Sequence, residues 1–251
     1  MSKRTAGEAG HGVDVSEVDM DGLNKIIKEQ DRVEIIIDRL AEKKLAPVYE
    51  KRRTVVSKIP KFWAMAFGQH AELFAYLQNK EDQDALGYLR DVNVIRDAQE
   101  SRAFTLELHF NENPYFSDSV LRKEYRYVAP PGANSEQPDA DGITPSALNF
   151  SWEDHVNPQS TTINWKDDSK NLTQKYPPKE DDDDDDAMDT EANAGSFFNL
   201  FEQEGDSHEV GIVIADDLYP NAIDYFLGRG PNGLDAWEDD EDEAEDEGDE
   251  E

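Results

Sequence analysis

No cysteine occurs anywhere in the chain. That excludes a disulfide framework, a thiol nucleophile and any thiolate metal site, and it is compatible with a reducing intracellular compartment. Histidine is scarce too. His11, His70, His109, His155 and His208 are scattered, without the paired spacing of a zinc site. Neither a glycine-rich phosphate loop nor a nucleophile elbow is present, and in so acidic a chain paired carboxylates carry no weight as an acid–base couple. These absences argue against an enzyme and against a bound cofactor. Long apolar runs are also missing: no segment approaches membrane-spanning length, and the opening MSKRTAGEAGHGVDVSEVD has no apolar stretch for a signal peptide.

Basic residues are the other shortage. Lysine and arginine number 25 against 58 aspartates and glutamates, for a formal net charge of −33. Two runs are extreme: Glu180 to Asp186 holds seven acids in seven positions, and Asp235 to Glu251 holds thirteen in seventeen. Without both runs the rest still carries 38 acids against 25 bases. A phosphate ligand needs a basic footprint, so direct sequence-specific nucleic-acid binding is disfavoured. The composition points instead to a polycation as partner, which for a soluble protein means histones or other strongly basic proteins. The uniform run Asp181 to Asp186 lacks the spaced ligands and glycine of a calcium loop, so no metal site is expected there.

What the chain has in abundance is helical periodicity near its start. From Leu23 to Ile59, apolar residues recur at alternating three- and four-residue steps. Leu23, Ile26, Gln30, Val33, Ile37 and Leu40 fit successive a and d positions of a heptad, and Ile27 and Ile36 widen the stripe. The stripe then slips by a residue and resumes through Leu45, Val48, Val55 and Ile59. Such a helix would be roughly 55 Å long, too long to bury its apolar face within its own globule. A second copy of the chain is the simplest cover. The predicted dimer interface is therefore Leu23, Ile26, Ile27, Val33, Ile37, Leu40, Val48 and Val55. Pro47 interrupts this reading, because an interior proline removes a hydrogen bond and clashes with the preceding turn. Two helices, about 21–45 and 47–58, packed as a hairpin are the alternative. One kinked helix over 19–59 is preferred, since no turn-forming residues flank Pro47.

The remainder reads as one α+β domain over 60–229, between a disordered start (1–18) and a disordered acidic tail (230–251). Pro60 suits the first turn of a new helix, and Phe62, Trp63, Met65, Ala66, Phe67, Leu73, Phe74 and Leu77 should form a helical subcore. A short helix follows at about 81–88. Alternation predicts strands around Val92 and Val94, over RAFTLELHF, over VLRKEYRYV and over STTINWK, with antiparallel pairing the simplest arrangement. Residues 129–158 and 168–195 read as flexible loops, the first with one apolar patch at 148–152. Ser196 is expected to cap the SFFNLFE segment, with Phe197, Phe198, Leu200 and Phe201 turned inward. A helix, a break at Pro220 and a last short helix complete the domain.

Four stretches carry a resemblance. They are Ser57 to Trp63 (SKIPKFW); Asn111 to Phe116 (NENPYF), with Val120-Leu121 and Lys123-Glu124; Thr162 to Lys166 (TINWK), with Asn171 to Thr173; and Ser196 to Phe198, with Phe201, Asp216 to Asn221 (DDLYPN) and Tyr225. In this order, over about 20–228, the chain resembles the nucleosome assembly protein (NAP) family of histone chaperones, nearest its SET-like branch. The resemblance implies a headphone-shaped homodimer. A long kinked helix pairs antiparallel with its mate, and an α+β "earmuff" of antiparallel sheet and helices hangs from each end. It also implies binding of core histones on an acidic face, nucleosome assembly and disassembly, and a nuclear location with shuttling to the cytoplasm.

The acids flanking SFFNLF are the candidates for that face: Glu202, Glu204, Asp206 and Glu209, with Asp216 and Asp217. Each also has a bland reading as a solvated surface acid or a helix cap. The resemblance equally permits a regulatory subunit or inhibitor of another enzyme, such as a histone acetyltransferase cofactor or a phosphatase inhibitor. The sequence departs from the resemblance at Asp181 to Asp186, where some SET-like members are basic, and this puts a nuclear localisation signal there in doubt. It departs again at 129–158, which is longer than expected.

Overall fold

A computed structural model describes residues 20–97, 100–178 and 195–234. The expected disordered start, the seven-acid run and nearly all of the acidic tail lie outside these residues.

One helix, α1 (Met20–Val56), leads the fold. Asp21 in its first turn and Arg53 in its last complement the helix dipole. The helix passes through Pro47 without a break, so the hairpin alternative does not hold. Beyond Val56 the chain turns through Pro60 to Lys61, whose φ of 59° lies in the left-handed region, and α2 (Phe62–Gln69) begins there. Pro60 thus sits in the turn ahead of the helix and not in its first turn. His70 adopts extended backbone angles and separates α2 from α3 (Ala71–Ala75). Two residues assigned to the subcore, Met65 and Phe74, are exposed while Phe62, Trp63, Ala66, Phe67, Leu73 and Leu77 are buried; at about 100° per residue Met65 falls outside the arc of α2 set by Phe62, Trp63, Ala66 and Phe67, and Phe74 lies on α3 beyond the break. Next comes α4 (Lys80–Leu86).

The sheet is antiparallel in the order β1 (Leu89–Arg96), β2 (Phe104–Phe110), β3 (Val120–Tyr127) and β4 (Val156–Pro158). Register places Val92 opposite Leu108 and Leu108 opposite Leu121, so one face carries apolar rows into the core. The other face is polar: Asn93 lies opposite Glu107 and Glu107 opposite Arg122, whose guanidinium meets the Glu107 carboxylate at 2.7 Å. Burial on one face alone sets the alternation.

Two corrections concern the segments after β3. Residues 129–158, read as a loop, hold α5 (Pro145–Leu148), α6 (Trp152–His155) and strand β4. The segment also reaches α1: Arg32 pairs with Asp139 (2.7 Å) and Asp141 (2.6 Å), and Arg39 donates to the Gly142 carbonyl (3.0 Å). The STTINWK strand, in turn, shrinks to a single bridge between Phe116 and Trp165. Carboxylates replace the ladder there. Asp118 accepts from the Asn164 N–H, and Glu202 accepts from the Ile163 N–H and the Trp165 indole. The 168–178 stretch contains α7 (Leu172–Lys175).

The chain closes through α8 (Asn199–Glu202), α9 (Val210–Val213), a π-helical turn over Ile214–Leu218, and α10 (Ala222–Phe226). Phe198 sits at the centre of the core, its ring against Phe116 (5.5 Å), Trp165 (5.8 Å) and Phe197 (5.6 Å). Ser196 works as a link more than as a helix cap. Its hydroxyl donates to Asp82 and accepts from the Phe198 N–H. Asp82 also takes the Phe197 N–H, and burial pushes its carboxyl above the usual range against these hydrogen bonds. The base of α1 is fixed to the domain by Arg52, which is buried between the rings of Tyr219 (4.4 Å), Tyr49 (4.5 Å) and Trp63 (5.6 Å) and donates to the Tyr219 and Pro220 carbonyls.

Candidate functional site

Residues 203–209 form a loop between α8 and α9, held from beneath by two inward-facing residues of β3. Lys123 is fully buried, and its ammonium donates to the carbonyls of Gln203 and Gly205, both at 2.7 Å. Burial pushes the Lys123 amine down to about 8, partly offset by Asp206. Two residues on, Tyr125 donates its hydroxyl to Asp206 Oδ2 at 2.5 Å. Asp206 then accepts the N–H groups of Val210 (3.1 Å) and Gly211 (2.8 Å), capping α9. Gly211 is required at that spot, because a Cβ there would lie 1.7 Å from the Tyr125 hydroxyl. Gly205 (φ +80°) and Glu209 (φ 55°) both occupy left-handed backbone, and the loop turns outward between them.

The six candidate acids divide by what their carboxylates already hold. Glu202 binds Ile163, Trp165 and the Thr173 hydroxyl. Asp206 caps α9 as above. Asp217 accepts from His70 Nε2 (3.2 Å), Asn221 (2.9 Å), the Tyr225 hydroxyl (2.9 Å) and Asn232 (2.6 Å). Burial raises the Asp217 carboxyl, but the donors from Asn232, Asn221 and Tyr225 outweigh it and hold the group below its ordinary value. These three acids build the domain. Asp216 is about half exposed and pairs with Arg96, which also reaches Glu42 of α1. Glu204 and Glu209 are exposed, with no side-chain partner among the described residues. The loop therefore shows two free carboxylates to solvent, and beside it Tyr76 and His208 stand 5.8 Å apart.

Sequence reasoning missed Lys123. The signal was present, since Lys123 shares the inward parity of Leu121 and Tyr125 in VLRKEYRYV; a lysine at an inward position is a buried cation that needs carbonyl or carboxylate partners.

All eight predicted interface residues of α1 are exposed in the single chain, at 49–61 %. The half-buried residues of α1 above its base, such as Arg32, Ile35, Ile36, Arg39 and Glu42, lie on another face of the helix, with Arg32, Arg39 and Glu42 tied to the chain's own domain. Among the described residues no group of three or more His, Asp or Glu side chains is placed to hold a metal ion. No helix there is long and apolar enough to cross a membrane.

The family description "Nucleosome assembly protein (NAP)" matches residues 16–229. The chain belongs to the NAP family. Among its relatives, "Protein SET" of Drosophila melanogaster is 29% identical over 228 residues, covering 88% of this chain and 73% of the relative. The crystal structure of a Ccp1 mutant superposes with a TM-score of 0.59 at 22% identity, covering 90% of this chain and 97% of the other. The "Vps75 Histone Chaperone" structure gives a TM-score of 0.53 at 19% identity, over 87% and 96% of the two chains. At these identities the two superpositions show a shared fold and nothing further.

Proposed function

We propose that this NAP-family chain is a homodimeric histone chaperone. It holds basic core histones on the acidic loop of its domain, keeps them from nonspecific contacts with DNA, and assists nucleosome assembly and disassembly in the nucleus. The observation that carries the reading is the 203–209 loop: Glu204 and Glu209, exposed and without a side-chain partner among the described residues, stand on a turn held by hydrogen bonds from Lys123 and to Asp206, in a chain whose net charge is −33. Histones bind DNA mainly through phosphate contacts, so a competing acidic surface lowers wrong contacts and speeds correct association. A shaped loop adds what a diffuse polyanion lacks, a fixed geometry.

The exposed seam of α1 supports the dimer. Charge along the helix supports an antiparallel one. Residues 20–38 hold five acids (Asp21, Glu29, Asp31, Glu34 and Asp38) against three bases (Lys25, Lys28 and Arg32), whereas 39–56 hold six bases (Arg39, Lys43, Lys44, Lys51, Arg52 and Arg53) against two acids (Glu42 and Glu50). Antiparallel pairing sets the acidic end of one copy on the basic end of the other.

The test is a DNA-competition assay. Histones are premixed with DNA at near-physiological salt, and the full chain or a truncated chain (1–234) is titrated in while released DNA is measured. Release by both forms is expected. Release by the full chain alone would reduce the domain to a carrier of polyanion. Absence of release by either would overturn the chaperone reading in favour of a regulatory subunit of another enzyme, such as a histone acetyltransferase.

A further inference from the structure

The geometry points to Lys123 as a positioning residue for histone binding: its buried ammonium fixes the acidic loop from below and so presets Glu204 and Glu209. This rests on the reading of that loop as the histone-binding face.

A cation is an unusual device for supporting an acidic surface. Among the described residues no carboxylate lies within ion-pair distance of Lys123, although Asp206 is near enough to favour its charge; its ammonium donates to the Gln203 and Gly205 carbonyls, one on each side of Glu204. Those contacts pin the backbone on both flanks of the first exposed acid. The Tyr125–Asp206 bond and the Asp206 cap of α9 pin the stretch leading to the second, Glu209. From the other side, the Gly205 N–H donates to the Pro158 carbonyl of β4 at 3.2 Å. Hydrogen bonds from a charged donor are about twice as strong as neutral ones, and buried carbonyls without a partner are costly. Removing the ammonium therefore frees the loop and strands two carbonyls. A loop ordered in advance spares the partner the entropy of ordering it, so affinity should fall when the anchor goes.

Electrostatics predicts the opposite sign. Lys123→Met removes a positive charge directly beneath the loop, which makes the face more negative and its attraction for a basic partner stronger. The sign of the change thus separates positioning from charge.

The experiment measures histone affinity of the full chain in four forms: wild type, Lys123→Met, Glu204→Gln/Glu209→Gln, and all three substitutions together. Thermal midpoints confirm folding. The expected result is on the order of a tenfold loss for Lys123→Met, a loss for the double glutamine variant, and little further loss when the three are combined. Equal or tighter binding by Lys123→Met, with the double glutamine variant weakened, overturns the positioning role and leaves the binding face standing. Fully additive losses also overturn it, since Lys123 would then act elsewhere. No loss in the double glutamine variant removes the binding face itself and the inference with it. Should Lys123→Met fail to fold, Tyr125→Phe tests the same idea: it keeps the ring stacked on Phe104 at 4.3 Å and drops only the Asp206 anchor. A loss of roughly threefold is expected from a single neutral-donor bond. Unchanged affinity overturns the proposal.

Discussion

The long helix and the domain treat their apolar residues in opposite ways. In the domain, Trp63, Phe67, Leu106, Leu108, Phe198, Phe201 and Tyr225 are almost wholly removed from water. Along α1, the seam from Leu23 to Val55 leaves aliphatic side chains about half exposed. The domain is complete on its own, whereas the helix is not. Burial of one such side chain is worth about 1.5–3 kcal/mol, so an unmatched seam of eight is a large unspent driving force for association. The same contrast holds among the acids. Asp82, Asp206 and Asp217 are consumed in building the domain, while Glu204 and Glu209 are exposed, with no side-chain partner among the described residues.

The largest expected effect attacks the helix. Ile37→Asp puts a charge in the proposed seam of both copies, and because each Ile37 is already about half covered, the lost apolar area alone costs about 1.5–3 kcal/mol of association. Light scattering should then give the mass of one chain, with near-UV circular dichroism of the domain unchanged. Phe198→Ala breaks the other half of the comparison. A cavity at the centre of the core should lower domain stability by about 3–5 kcal/mol, read as a drop in the urea midpoint with the helical signal of α1 less affected.

A smaller effect follows from His70, which is buried against Asp217. Burial outweighs Asp217 and holds the imidazole below its ordinary value, so the folded state keeps it neutral. As pH falls below about 6.5, the unfolded chain takes up a proton there more readily than the folded chain does, so stability declines. Urea midpoints should fall between pH 7.5 and 5.5, and His70→Gln should flatten that slope. The smallest effect belongs to the clasp on α1. The Arg32 pairs with Asp139 and Asp141 are partly exposed, with side chains 30–49 % accessible. Arg32→Ala should lower the urea midpoint only slightly, and less at high salt, because solvent and ions screen so exposed a pair.

Much of this contrast was legible in the sequence. The exposed apolar stripe of α1 follows heptad spacing, and β1 to β3 follow from alternation, because a sheet that buries one face must repeat its pattern every second residue. Positions that depend on distant side chains were not legible. TINWK has the alternation of a strand, yet Glu202 and Asp118 take its N–H groups and no ladder forms. Met65 and Phe74 read as core in the sequence, but both are exposed: Met65 lies off the buried arc of α2, and Phe74 lies on α3, beyond the extended backbone at His70. Asp216 and Asp217 are neighbours of identical type. Only the tertiary fold gives one of them Arg96 at the surface and the other a network with His70, Tyr225 and Asn232. For the same reason sequence alone proposed six binding acids, where the geometry leaves Glu204 and Glu209 free.

The measurement that tests the central contrast most directly is the mass of the intact wild-type chain by light scattering at micromolar concentration. The account predicts twice the mass of one chain, because the proposed dimer covers the exposed stripe of α1 with a second copy. A single-chain mass would contradict it and leave the apolar face of α1 without an occupant.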